Sequence, residues 1–241
     1  MSEVTKLHGA LDFTGERAAS HQTVYVYEAP VRLWHWTNAL AIVVLAITGY
    51  LIGSPLPSLS GEASDHFMMG YIRFAHFAAG YVVAVGFLLR IYWAFVGNRY
   101  ARQLFLPPVW DKTWRWGALY EFKWYLFLVD KPKKYVGHNP LAATFMFGFM
   151  LLLVFQICTG FALYGEGAGH ESWQYRAFGW VFSIWPNSQT VHTLHHLTMW
   201  GIIVFVILHV YAAVREDIMS RQSMISSIVS GERVFRDEFD S

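Results

Sequence analysis

Apolar and polar residues fall into blocks along this chain, and four of the apolar blocks are long. They cover about 31–52, 70–96, 141–164 and 191–214. A helix needs roughly 20 residues to cross about 30 Å of hydrocarbon, and each block is long enough. Backbone groups in lipid must bond within their own segment, so the blocks predict helices and not strands. Turn-rich or charged segments separate them: GSPLPSLSGEASD follows the first, KPKKYVGHNP precedes the third and WPNSQT precedes the fourth.

Two further segments mix aromatics with polar and charged residues. WDKTWRWGALYEFKWYLFLVDKPKK reads as a helix lying in the cytoplasmic interface. ESWQYRAFGWVFSIWP reads similarly on the outer side, where it could cap the bundle or meet a partner. The pattern therefore predicts an all-α protein, a four-transmembrane-helix bundle with short interfacial helices. It forms one integral-membrane domain over residues 1–241, without internal repeats.

Composition agrees. Of 241 residues, 55% are hydrophobic and only 15% are charged, against about a quarter charged in soluble domains. A net charge of +1 and basic residues set beside the spans argue against a nucleic-acid partner. The single cysteine, Cys158, can hold neither an iron–sulfur cluster nor a structural zinc, and no C-x-x-C-H motif is present. It reads as an apolar filler. The first thirty residues lack the apolar core of a signal peptide, so insertion is assigned to the spans themselves.

Lysine and arginine set the orientation. Nearly all lie in the N-terminal segment, the 97–140 loop and the C-terminal tail, counting Arg32 and Arg90 at the membrane edge. The opposite loops contribute only Arg73 and Arg176. Both termini are thus expected on the cytoplasmic side of the membrane.

Of eleven histidines, His35, His76, His195, His196 and His209 fall within or beside the spans. A lone histidine there can serve an interhelical hydrogen bond, but ionisable groups at this depth are also functional candidates. Depth separates the two readings. His35 and His209 sit near the cytoplasmic ends of the first and fourth spans. His76 lies toward the outer end of the second, level with His195 and His196. At about 100° per residue, the fourteen steps from His195 to His209 leave them roughly 40° and 21 Å apart, while thirteen steps put His196 nearly opposite. Only His195 shares a face with His209. His196 is left to headgroups, a neighbouring helix or a propionate.

Zinc and copper prefer three or four clustered ligands, and no third ligand is evident at either level. Haem needs one axial ligand on each side of a plane, and two facing helices provide that. Two imidazoles fill both axial positions, which suits electron transfer and little else. The same spacing supplies clearance and charge: Gly49 lies fourteen residues after His35, Gly80 four after His76, and Arg90 fourteen after His76. Glycines also serve packing in membrane helices, so these are supporting signs.

The chain resembles the b-type cytochrome subunit of membrane-bound uptake nickel–iron hydrogenases along almost its whole length. The resemblance is carried by YEAPVRLWHWTNALAIVVLAITGYLIGSPLPS, GYIRFAHFAAG, LRIYWAFVGNRYARQLF, GHNPLA, GFALY and HVYAAVREDIMS. It implies two b haems, one held by His35 and His209 toward the cytoplasm and one by His76 and His195 toward the outside. It also implies a periplasmic hydrogenase partner: a large subunit, and a small subunit whose iron–sulfur clusters supply electrons and whose C-terminal membrane helix packs here. Hydrogen activation belongs to that partner, and quinone is the acceptor. Asn38, His138, Asn139, Tyr211 and Glu28 are candidates for the quinone end by position. Asn139-Pro140 is also an ordinary helix-start signal, and Tyr211 also suits the interfacial aromatic belt. Two other readings stay open: the same cytochrome serving a formate dehydrogenase-like complex, and a haem-free anchor whose histidines only pack.

Overall fold

The computed structural model describes residues 5–6, 22–57, 61–62, 66–131, 133, 135–220 and 223–235. Arg17, Lys134, Arg221 and Arg236, which entered the orientation reading, lie outside the described residues, as do parts of the loop after the first span.

In chain order the elements are β1 (Thr5–Lys6), β2 (Gln22–Tyr25), α1 (Ala29–Gly53), α2 (Met68–Val96), α3 (Arg99–Arg102), α4 (Lys112–Tyr125), α5 (Pro140–Ala168), α6 (Trp173–Phe178), α7 (Val181–Ile184), α8 (Ser188–Ser220), α9 (Met224–Ser230) and β3 (Glu232–Phe235). Four of them, α1, α2, α5 and α8, are long and apolar enough to cross a membrane. Only 17%, 28%, 22% and 11% of their apolar windows is buried inside the protein, which leaves most of that surface to lipid. The chain is a multi-pass membrane protein.

Local chemistry sets the helix ends. Asn139 Oδ1 accepts the Ala142 N–H at 2.7 Å and Pro140 occupies the first helical position, so α5 starts there. It stops before Gly169, whose φ of +100° suits a residue without Cβ. The expected cytoplasmic interfacial helix is α4, with Asp111 accepting the Thr113 N–H at its start. The outer aromatic segment forms two short helices, α6 and α7, instead of one. Between them Gly179 packs so tightly that a Cβ would lie 2.6 Å from the Tyr175 carbonyl oxygen. The fourth helix runs to Ser220, past the expected end at 214, and carries the buried Arg215 and Glu216 in its last turns.

The small sheet was not expected. Its order is β1-β2-β3, both pairs antiparallel, with Thr23 opposite Val234 and Val24 opposite Arg233. The Val26 and Tyr27 N–H groups donate to the Gly231 carbonyl, which ties the start of α1 to the C-terminal strand.

Two compact units are resolved. The first comprises the described residues of Met1–Leu33, Tyr92–Gly148 and Ile207–Ser241, and the second Trp34–Ile91 and Phe149–Val206. In the first, Val26, Tyr27, Val31, Tyr100 and Ala101 form a buried cluster. In the second, Ala162, Val181 and Val191 do so, with Cys158 packed against them as an apolar side chain.

Candidate functional site

The second unit brings His76 of α2 and His195 of α8 together, with ring centres 6.5 Å apart and planes inclined by 70°. Each imidazole is held from another helix. Thr48 Oγ1 of α1 lies 2.9 Å from His76 Nδ1, and Thr159 Oγ1 of α5 lies 2.8 Å from His195 Nδ1. Both hydroxyls also bond back along their own helices. Thr48 donates to the Val44 carbonyl at 2.6 Å and Thr159 to the Phe155 carbonyl at 2.8 Å, the usual placement of a helical hydroxyl. A hydroxyl has one proton, so toward the histidine it must accept. The proton therefore sits on Nδ1 of each ring, and Nε2 keeps its lone pair. Gln156 Nε2 donates to His195 Nε2 at 3.2 Å, which agrees with that tautomer.

Glycines flank both rings. A Cβ on Gly49 would lie 3.2 Å from His76 Cε1, and one on Gly160 would lie 3.1 Å from His195 Cε1. Gly80 faces open space, with nothing within 4 Å of where a Cβ would stand.

These residues fit a haem. Metal–imidazole bonds of about 2 Å on both sides would set ring centres roughly 6–7 Å apart, which is the spacing of this pair. Among the described residues no group of three or more histidine, cysteine or acidic side chains converges as a metal site. The donor set is two neutral imidazoles on separate helices, and that suits an axially ligated iron.

The other candidates are placed as follows. His35 lies on α1 in the second unit, its ring 5.1 Å from that of Trp36. His209 lies on α8 in the first unit. His196 turns to a neighbouring helix, where a Cβ on Gly53 would come within 2.9 Å of its ring, and its Nε2 accepts the Trp200 indole N–H. Arg90 is 3% exposed, with its guanidinium carbon 5.6 Å from the Trp34 ring centre. Among the quinone candidates, Glu28 accepts from Trp93 Nε1 and the Asn98 N–H, and Asn139 caps α5, so both serve local structure. Asn38 is buried, and its Oδ1 meets no hydrogen-bond partner among the described residues. His138 packs edge-on to Tyr27 and lines a cavity of about 540 Å³ with Gln103, Lys133 and Tyr135. Tyr211 is exposed.

Sequence reasoning missed Thr48, Thr159 and Gly160. Neither threonine stands out by type; the available signal was the dipeptide Thr-Gly, which occurs in the first span and again in the third. It also missed a cluster in the first unit. Arg215 stacks over Trp124 at 4.1 Å, near Tyr125 and Phe127, and donates to the Trp124 carbonyl. Glu121, on the same helix as Trp124, is fully buried. Burial, then the neighbouring Glu216 carboxylate, push Glu121 up to about 7 against a weaker pull from Lys133. Burial also pushes the Tyr135 phenol up to about 12.

Residues 26–231 match the family model described as prokaryotic cytochrome b561. A probable Ni/Fe-hydrogenase B-type cytochrome subunit of Bradyrhizobium diazoefficiens is 66% identical over 95% of this chain and 93% of its own length. Its counterpart in Rhizobium leguminosarum bv. viciae is 64% identical over 96% and 97%. The probable Ni/Fe-hydrogenase 1 B-type cytochrome subunit of Escherichia coli K12 is 54% identical over 87% and 90%. With its helices, its paired histidines and these identities, the chain belongs to the prokaryotic cytochrome b561 family.

Proposed function

We propose that the chain is the electron-carrying membrane subunit of a hydrogen:quinone oxidoreductase complex. It would anchor a nickel–iron hydrogenase and connect the iron–sulfur clusters of the small subunit to the quinone pool through two b haems. The observation that carries this reading is the His76–His195 pair, its tautomers set by Thr48 and Thr159. The printed names of the relatives support a hydrogenase as the partner. Haem b held by these imidazoles would supply a one-electron centre.

The chain's residues then have distinct tasks. His76 and His195 present neutral Nε2 atoms to one iron. His35 and His209, matched in depth by sequence spacing, are assigned to the second. Arg90 supplies a positive charge for propionates. Phe77 and Tyr164, with ring centres 4.5 Å apart, give the helices around the first pair an apolar contact that excludes water. Of the quinone candidates, His138 is supported by the cavity it lines. The excess of lysine and arginine in the 97–140 loop supports a cytoplasmic side for that loop and for both termini.

Membranes holding this chain and its hydrogenase test the reading. Hydrogen should reduce the b-type absorbance bands, and added quinone should reoxidise them. A purified chain without a Soret band, or bands that hydrogen cannot reduce through the partner, would refute it.

A further inference from the structure

The two ligand helices are each met by the same dipeptide on a neighbouring helix. On α1, Thr48 and Gly49 face His76; on α5, Thr159 and Gly160 face His195. In both places the threonine hydroxyl gives its proton to the carbonyl four residues back and accepts the imidazole Nδ1–H. In both places the following glycine leaves room for ring atom Cε1, where a Cβ would stand at 3.2 or 3.1 Å. Thr48 and Thr159 are 8% and 1% exposed, so water does not compete for these bonds.

We propose that Thr48-Gly49 and Thr159-Gly160 are paired clamps that position the axial imidazoles of this haem site and tune its potential. The proposal rests on the haem reading above and concerns residues that touch the ligands, not the iron. A clamp does two things. Its hydroxyl locks the tautomer and the ring angle, so Nε2 points at one place. By accepting the Nδ1–H it also makes the imidazole a stronger donor, which favours the oxidised iron and lowers the midpoint potential. The glycine permits the short approach; an alanine there would push the ring sideways.

The clamps are not equal. Thr159 is the more deeply buried of the two, 1% exposed against 8% for Thr48, and Gln156 holds the other nitrogen of His195. Removing the hydroxyl should therefore matter more at Thr159 than at Thr48.

The experiment uses the full chain in detergent, with redox titration of the haem bands, ferric EPR, and haem transfer to apomyoglobin. Thr159→Val keeps shape and removes the acceptor. One of the two haems should rise in potential with the other unchanged, and its transfer should speed up roughly 10–100-fold. Thr48→Val should do the same more weakly, and Thr159→Ser should restore wild-type values. Gly160→Ala should alter the EPR signal of the same haem by turning its ligand. Should Thr159→Val leave potential, EPR and transfer unchanged while both haems remain, the clamp idea is wrong and the haem reading stands. If Thr159→Ser behaves like Thr159→Val, the residue acts through packing and the proposal also fails. A wild-type chain without haem would remove the reading itself, and the clamp with it.

Discussion

Two sites, one in each unit, handle buried polarity in opposite ways. Around His76 and His195 the second unit uses neutral groups: two hydroxyls, a glutamine amide and two imidazoles, joined by hydrogen bonds. The first unit instead buries ionisable groups: Arg215, Glu216, Arg233 and Glu121. Their compensation comes from aromatic faces, backbone carbonyls and one another, as with Arg233 donating to the Gly137 carbonyl. Charge is costly in hydrocarbon, so a site within a span must fix its geometry with neutral donors and acceptors. Toward a membrane face, charged groups can be kept if they are paired or stacked. The histidine pair is thus held by neutral hydrogen bonds alone, while a stacked cation ties α4 to the end of α8.

Three variants would sharpen or break that contrast. The largest effect is expected for His76→Leu, which should cost the chain one of the two proposed haems, about half of the haem absorbance per protein, with helix content unchanged by circular dichroism. Retention of both haems would sever the pair from cofactor binding. Next is Arg215→Met. It removes the cation from three aromatic rings and the bond to the Trp124 carbonyl, so thermal unfolding in detergent should report a loss of about 2–4 kcal/mol. The haem bands of this variant should be unaltered at low temperature. A neutral outcome would mean that the stacked cation does not tie these elements together.

The smallest effect concerns pH. Glu121 holds its proton up to about 7 in the folded chain, against an ordinary 4.5. Between those values the folded state keeps a proton that the unfolded state has released, so stability falls as pH rises from 4.5 to 7 and levels off above. Glu121→Gln should remove that slope. At pH 8 it should be more stable than wild type by roughly 1–2 kcal/mol once solvent screening is allowed for, with little difference near pH 4.5. A wild-type curve that is flat across the window would show that the carboxyl is solvated.

Much of this was legible in the sequence, for reasons that can be named. The four spans follow from apolar length, since lipid admits little else. His195 was separable from His196 because a helix advances about 100° per residue, and His196 indeed turns to Gly53 and Trp200. Gly49 was noticed, yet its purpose was hidden because its partner, Thr48, looks like any helical threonine until the facing histidine is known. The sheet escaped because its strands are two to four residues long and its register joins positions about two hundred apart in the chain. Glu121 escaped because its sequence neighbours are polar and aromatic, as on any interfacial helix; only α8 brings Glu216 to it. Pairings between distant segments carry no local pattern.

The most direct measurement is haem per chain, by pyridine haemochrome, for wild type, His195→Leu and His196→Leu purified side by side. Two haems in wild type, one in His195→Leu and two in His196→Leu are predicted. Loss of haem from His196→Leu with none lost from His195→Leu would contradict the assignment of the ligand pair.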